Sequence, residues 1–427
     1  MLLVSSLALA VTLEEAWSSA ESNSIDLALV RENTRQGETL TGKAWALVQP
    51  KLVLGGHYTI NDKEISWDPD DLITIPQELK DTLNLPDSEP IVFQKKQYFD
   101  GNVSVVQPIF SGAAFPLLKG AQATVKASRE DEASARTQIR AGIARAFYSV
   151  AVARDMEAVA REAADNAGKH ATLVQKQTEI GLAPPTAHLQ AEIAQSKAKR
   201  QVAQAHEGVV TAESAFAKLT GLSADSTIDL PQERPLPYDS VDAAAARAAA
   251  HRPDIAAALH RAKAAKMQKL ATDLGWLPSL DSRFTYNYTQ NNGGFNTAPD
   301  MWQVVFTANW TLWDGGFRLA DERGAASVAR QAQYAVEKAT QDATESIRTL
   351  WEAHARSADA FDQVRREHEL AAENQRIAEA AYAAGAITFL ELEDARLGVR
   401  AAAATEVAER MNRDLAAIDL LAATGDL

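Results

Sequence analysis

The chain has 427 residues, of which 46% are hydrophobic and 23% are charged, so it carries enough apolar material for a folded core. Its formal net charge of −14, from 57 acidic and 43 basic residues, argues against nucleic acid as a partner, because phosphate binding needs clustered lysine and arginine. The absence of cysteine excludes disulfides, thiolate metal sites and thiol nucleophiles.

The chain begins with ten small and apolar residues, and Ala8-Leu9-Ala10 fits the A-x-A pattern that a signal peptidase accepts. We predict that residues 1–10 are a signal-peptide remnant, which indicates export. No positively charged segment precedes this short stretch, so a truncated or misassigned start is the alternative. Elsewhere the sequence has no apolar run of about 18 residues and predicts no ordinary transmembrane helix.

A pair of strands is predicted after the first helical residues, because apolar side chains recur at every second position. The alternating apolar positions are Leu52, Leu54, Tyr58 and Ile60, followed by Val103, Val105 and Ile109. Residues 61–97 between the two strands are acidic and contain proline, as expected of a long exposed loop.

A very long helical hairpin is predicted at residues 116–220. No proline interrupts the sequence between Pro116 and Ile180, which would give a helix of about 65 residues and about 100 Å. Helices of compact domains average only about 11 or 12 residues. Gly181 is a typical helix-stop residue, and Pro184-Pro185 are suited to open the return helix, which runs to Leu219.

The second half of the chain shows the same elements in the same order. Two strands are predicted within residues 279–313, and a turn-rich segment at residues 291–294 separates them. Their apolar positions are Leu280, Phe284, Tyr286, Tyr288, Trp302, Val304, Phe306, Ala308, Trp310 and Leu312. A second long hairpin follows at residues 318–424, with a stop at Gly385 and a restart whose Thr388 and Glu391 match a capping box.

The two halves are therefore interpreted as a duplication. Val105–Gly112 aligns with Ala308–Gly315, and Glu179–Leu182 aligns with Ala383–Ala386, at a nearly constant offset of about 204 residues. We predict a first repeat at residues 11–225 and a second at residues 226–427, each with a helix, two strands and a long helical hairpin.

The strands by themselves are open to a second interpretation, because strands of an ordinary β-sandwich show the same alternation of apolar and polar residues. However, only four convincing strands are present, and about 170 residues of helix-type sequence separate the two pairs. Four strands cannot close a wide barrel, so several chains would have to contribute to one.

In these features the chain resembles the TolC-type outer-membrane efflux proteins, over essentially residues 11–425. The resemblance rests on motifs whose order, duplication and spacing agree. They are Thr12-Leu13-Glu14-Glu15-Ala16, the strand ends Gln107-Pro108-Ile109-Phe110 and Trp310-Thr311-Leu312-Trp313-Asp314-Gly315-Gly316, the two hairpin tips, and the closing Leu219-Thr220-Gly221 and Ala423-Thr424-Gly425.

The resemblance implies a mixed α+β membrane protein that forms a homotrimer. Each protomer would give four strands to a 12-stranded transmembrane β-barrel in the outer membrane, continued by a long α-helical periplasmic barrel. The resemblance further implies that the protein works as a passive exit duct for small molecules, metal ions or proteins. A periplasmic adaptor would join it to an inner-membrane transporter, which supplies the energy of an efflux pump or type I secretion system.

The resemblance also implies a channel gate, here defined as Glu391 and Asp394, just beyond the second hairpin tip. Three copies would form stacked carboxylate rings that favour cations. The alternatives are a capping-box role for Glu391 and a solvated helix face for Asp394. Tyr382 and Thr186 match two further residues that close the periplasmic end in the enterobacterial member of the family.

That closure also uses a charged latch, which this sequence lacks, because Ile387 stands in place of an arginine and Ala187 in place of an aspartate. The two tips resemble the notches that adaptors grip in this family, although helix termination explains their glycines equally well. The tip residues are Ile180, Gly181, Leu182, Ala384, Gly385 and Ala386.

No catalytic motif, cofactor fingerprint or spaced set of histidine ligands is present, so we predict neither an enzyme nor a metal or cofactor site. The main rival interpretation is a soluble coiled-coil scaffold whose strands form a small capping sheet. A periplasmic adaptor is a second rival, but it would need a lipoyl-like β-domain for which the chain has no room.

Overall fold

The computed structural model describes residues 11–69, 72, 75–83, 89–223, 227–229, 236–293 and 298–427. The predicted signal remnant at residues 1–10 lies outside the described residues. The helices are α1 (Leu13–Asn23), α2 (Ile25–Trp45), α3 (Gln77–Leu83), α4 (Ala114–Glu179), α5 (Pro185–Thr220), α6 (Val241–His251), α7 (Pro253–Leu274), α8 (Phe317–Ala383) and α9 (Phe389–Thr424). The strands are β1 (Lys51–Ile60), β2 (Ile65–Trp67), β3 (Ile91–Gln94), β4 (Gln97–Phe110), β5 (Ser279–Thr289) and β6 (Asp300–Asn309).

The chain divides into two compact units. The helical unit comprises the chain up to Gln36 together with Lys126–His260 and Gln333–Leu427. The sheet unit comprises Gly37–Val125 and Arg261–Ala332. Within the part of the chain that the structure describes, no helix is both long and apolar enough to cross a membrane.

The long hairpins predicted from the sequence are confirmed. Helix α4 has 66 residues and begins at Ala114, two residues before the predicted start, so that Pro116 lies in the first turn, where it costs no hydrogen bond. Helix α8 has 67 residues. The return helices α5 and α9 have 36 residues each, and both end at a left-handed glycine, Gly221 and Gly425.

The sheet unit contains an antiparallel sheet with the order β1-β4-β5-β6. The predicted pairing of the first two strands is confirmed, since Leu52 lies opposite Val105 and Leu54 opposite Val103. Strand β5 joins the two halves of the chain by pairing with β4 on one side and β6 on the other.

Two details of the prediction are wrong, namely the end of the last strand and the structure of the segment between the first two strands. The strand predicted to reach residue 313 ends at Asn309, because the Trp310 indole donates a hydrogen bond of 3.1 Å to the Trp276 carbonyl and the chain turns at Gly315 and Gly316. The segment 61–97 is not a simple loop either, because it contains β2, α3 and β3, and β2 pairs with β3.

Contacts with a distant segment hold this insertion in place. The Asn291 side chain accepts a hydrogen bond of 2.8 Å from the Lys95 backbone N–H and donates one of 3.2 Å to the Phe93 carbonyl. Such contacts join residues almost 200 positions apart, so local sequence patterns did not indicate them.

The main core of the helical unit packs α1 against α4, α5 and α9. Phe147 and Phe216 are fully buried and meet edge to face at 6.0 Å between ring centroids. The Trp17 indole donates a hydrogen bond of 2.9 Å to the Arg140 carbonyl, which fixes α1 on α4. A second cluster forms around the fully buried Ile347 and Leu420.

Candidate functional site

One face of the sheet is apolar and exposed. The register places Leu54, Val103, Tyr286 and Trp302 in one row across the four strands. The apolar face further comprises Leu52, Tyr58, Ile60, Phe99, Val105, Phe284, Tyr288, Val304, Phe306 and Ala308. Phe306 is 69% exposed and Leu54 is 79% exposed, so the chain itself does not cover this surface.

The opposite face is mostly polar, although the register also places Val53, Tyr98, Val106, Met301 and Val305 on it. It carries His57 and Asp100, whose Nε2 and Oδ2 atoms lie 3.0 Å apart across β1 and β4. The remaining polar positions of this face are Lys51, Thr59, Asn102, Ser104, Ser279, Asp281, Arg283, Thr285, Asn287, Thr289, Gln303, Thr307 and Asn309. An apolar side opposed to a polar side is the pattern of a sheet that separates lipid from water.

The two edges of the sheet are matched in length and direction. Edge strands β1 and β6 have 10 residues each, and the alternating antiparallel order makes a further β6-to-β1 pairing antiparallel as well. The Thr289 N–H donates a hydrogen bond of 2.7 Å to the Pro299 carbonyl, so these two opposite residues form a hydrogen-bonded pair of β5 and β6. Every second pair along the two strands is then hydrogen-bonded as well. By the alternation of antiparallel pairs, the N–H groups of Trp302, Val304 and Phe306 point away from β5.

The hairpin tips lie where the sequence predicts them. Gly181 and Gly385 have φ angles of 75° and 70°, a left-handed conformation that favours glycine. No atom lies within 4 Å of a Cβ built on either residue, and Ile180 and Leu182 are 69% and 77% exposed. The tips of the helical unit are therefore open surfaces, formed by tight turns.

The structure places both predicted gate residues on one side of α9. Glu391 and Asp394 are three positions apart in the first turns of the helix, and both are exposed. Glu391 also forms the predicted capping box with Thr388, whose backbone N–H and hydroxyl donate to its carboxylate at 2.7 and 2.8 Å. These hydrogen bonds, the backbone one first, lower the pKa of Glu391, so its carboxylate stays ionised at neutral pH.

The two matching closure residues lie in different hairpins. Thr186 is exposed in the first turn of α5. Tyr382 is half-buried near the end of α8, and its ring meets the His170 ring of α4 edge to face, with 6.4 Å between centroids. Tyr382 and Ile387 also pack against the buried cluster of Ala378, Leu392 and Ala395. The sequence did not single out His170 as a partner of Tyr382.

A cluster of charged side chains that the sequence analysis also missed lies beside this contact. Arg396 of α9 bonds to Glu393 at 3.1 Å and to Glu379 of α8 at 3.4 Å. The cluster borders a cavity of about 420 Å³ between α4, α8 and α9. The titratable residues that line the cavity are Glu162, His368, Arg376, Glu379, Glu393, Arg396 and Arg400. The three arginines balance the three glutamates, so the charge of the lining is close to zero. The hydrogen bond from Arg396 to Glu379 joins α9 to α8.

The fold is similar to several solved outer-membrane channels. CmeC from Campylobacter jejuni matches with a TM-score of 0.79 and 15% identity over 97% of this chain and 85% of that chain. VceC from Vibrio cholerae matches with a TM-score of 0.76 and 18% identity over 97% and 96%. MtrE from Neisseria gonorrhoeae, in its open state, matches with a TM-score of 0.75 and 17% identity over 97% and 88%.

No curated protein sequence matches this chain significantly. The family described as outer membrane efflux protein, however, matches residues 16–222 and 244–426, which is most of the chain. This chain therefore belongs to the outer membrane efflux protein family, whose members are channels of the outer membrane.

Proposed function

We propose that three copies of this chain form a passive exit duct, in which each copy supplies four strands to a closed 12-stranded barrel in the outer membrane. The observation that carries the proposal is the pair of equal, antiparallel-compatible edges that β1 and β6 present within one protomer. In lipid each unpaired backbone group would cost several kcal/mol, so the edges of neighbouring copies would pair. The exposed apolar face favours this duct over a soluble coiled-coil scaffold.

We further propose that the chain is a duplication with repeats at residues 11–225 and 226–427. Equivalent positions of the two halves are buried alike, as the fully buried pairs Ile143 and Ile347, and Thr220 and Thr424, illustrate. In the assembled duct the long hairpins of both repeats would continue the barrel into the periplasm and bring their tips to its inner end.

The open tips support a periplasmic adaptor as the partner that links the duct to an inner-membrane transporter. The transporter would supply the energy for export, because a passive duct provides none. Cargo delivered in this way would be small molecules, metal ions or proteins.

Substituting Gly181 with tryptophan tests the adaptor contact. We expect the purified trimer to lose most of the co-purifying adaptor, because the indole would fill the open notch at the tip. Quantitative mass spectrometry of the affinity-purified complex measures this loss. Gly181→Ala is the matched control, because it strains the same left-handed position without adding the bulk of an indole, and it should keep the adaptor. Gly208→Trp adds the same ring inside α5, where no atom lies within 4 Å of the Cβ position. Adaptor recovery at the wild-type level from Gly181→Trp trimers would remove the tips as a contact site.

The gate is tested by replacing Glu391 and Asp394 together with alanine. Removing three copies of each carboxylate should raise single-channel conductance or abolish block by divalent cations, because the ring that attracts them is lost. Planar-bilayer recordings measure both quantities. A Glu367→Ala/Glu369→Ala variant removes the same charge from α8 and should leave both unchanged. Identical traces for the wild type and the Glu391/Asp394 variant would contradict the gate assignment.

A further inference from the structure

A buried histidine lies between the two hairpins of the helical unit. His170 of α4 is 5% exposed, and its ring meets the ring of Tyr382, three positions before the Gly385 turn. Tyr382 packs on the same cluster as Leu392, the residue that follows Glu391. The contact therefore connects the first hairpin, α4 and α5, with the segment of the second hairpin, α8 and α9, that carries the gate.

Burial of the ring, followed by the positive charge of Arg396, makes this a poor place for a proton. Arg396 and Glu393 both act on His170, and Arg396 is itself held by Glu393 and Glu379. Burial in the first place, and then the positive charge of Arg396, lower the pKa of His170 below its ordinary value of 6.5, while Glu393 opposes the shift. In the packed arrangement His170 is therefore a neutral ring against the Tyr382 phenol.

Two other histidines each face a glutamate within one hairpin. In the first hairpin His206 lies 3.0 Å from Glu157 and joins α5 to α4. In the second hairpin His368 lies 2.5 Å from Glu406 and joins α8 to α9. A positive charge on either imidazole would add attraction to an existing hydrogen bond.

We propose that His170 is a positioning residue of the gate, and that its protonation releases the first hairpin from the second while each hairpin stays intact. This inference rests on the proposed function, since it assigns the closed position of Glu391 and Asp394 to the contact between His170 and Tyr382. It gives this chain a neutral, pH-sensitive contact in place of the charged latch that Ile387 and Ala187 preclude.

The direction of the pH effect follows from proton linkage. A separated, hydrated His170 binds a proton more readily than the packed residue, so acid favours the separated state. The free energy that holds the hairpins together is fully present above about pH 6.5 and declines as the pH falls from there toward the lowered pKa. Each pH unit between the two pKa values changes the ratio of closed to open duct about tenfold.

Channel recordings at pH 7.5 and pH 5.5 test this mechanism with three variants. The wild-type duct should conduct several-fold more at pH 5.5. His170→Phe keeps an aromatic ring against Tyr382 but cannot be protonated, and it should stay at the low conductance at both pH values. His170→Arg carries a permanent charge and should conduct at the high level at both. His206→Phe, a control within the first hairpin, should keep the wild-type response.

Hydrogen exchange of α4 and α8 peptides, corrected for intrinsic rates and measured on the same detergent-solubilised trimers, reports the packing without any need for conduction. The wild type should exchange faster at pH 5.5 around His170 and Tyr382, and His170→Phe should not. A full pH response in His170→Phe trimers, by either measurement, would overturn the inference. If the exchange difference follows His170 but the Glu391/Asp394 variant conducts like the wild type, the contact stands and the proposed gate is wrong.

Discussion

Replacing Phe147 with alanine is expected to destabilise the helical unit by about 3–5 kcal/mol, the largest effect that we predict for a single side chain. Phe147 is 0% exposed and touches the rings of Tyr148 and Phe216 at centroid distances of 5.7 and 6.0 Å. Alanine would remove both ring contacts and leave a cavity where α1, α4, α5 and α9 meet, because a close-packed core relaxes only in part.

Thermal unfolding of the purified protein, followed by helical circular dichroism, measures this effect as a lower apparent Tm. The matched control is Tyr334→Ala, which removes a ring of similar size that is 64% exposed on α8. Surface substitutions of this kind change stability by about 0.5 kcal/mol or less. Equal melting curves for the two variants would show that the packing around Phe147 does not hold the helices together.

Replacing Val304 with proline is expected to abolish the trimer while leaving the protomer's own sheet paired. The Val304 N–H points away from β5, so proline there removes a donor that the protomer does not use. In the closed barrel the same N–H would face β1 of the neighbouring copy, and its loss would occur at three junctions at once. At each junction a β1 carbonyl of the neighbouring copy would lose its hydrogen-bond donor in lipid, which costs several kcal/mol.

Gel mobility without heating, compared with helical content, measures this separation of assembly from folding. Val304→Ala keeps the N–H and should assemble normally. Val305→Pro, one position along, removes an N–H that points toward β5 and should disrupt the protomer's sheet itself. Normal trimers of Val304→Pro would show that the outward edge of β6 forms no junction.

Much of the fold could be predicted because its signals are local. Gly181 and Gly385 end the long helices, and the Thr388 capping box starts α9. The strand positions followed from alternation, since one face of each strand is apolar and the other polar. The end of β6 at Asn309 could not be predicted from the sequence. The Trp310 side chain, which draws the chain out of the sheet, is as apolar as the strand residues before it.

The site was predicted less completely than the fold. Exposed residues such as Glu391 and Asp394 occupy positions next to a recognisable turn, so the resemblance placed them. His170 is a single histidine in a helix of 66 residues, and its meaning depends on Tyr382 and Arg396, which lie more than 200 positions away along the chain. Only the packing of α4 against α8 and α9 shows which histidine lies between the hairpins.

The most direct test of the central claim is electrophoresis of isolated outer membranes, with and without heating of the sample. A wall closed by neighbouring copies predicts a slow-migrating trimer that converts on heating to a single 46.1 kDa chain. Recovery of the protein as a stable monomer in the aqueous fraction, without detergent, would contradict it.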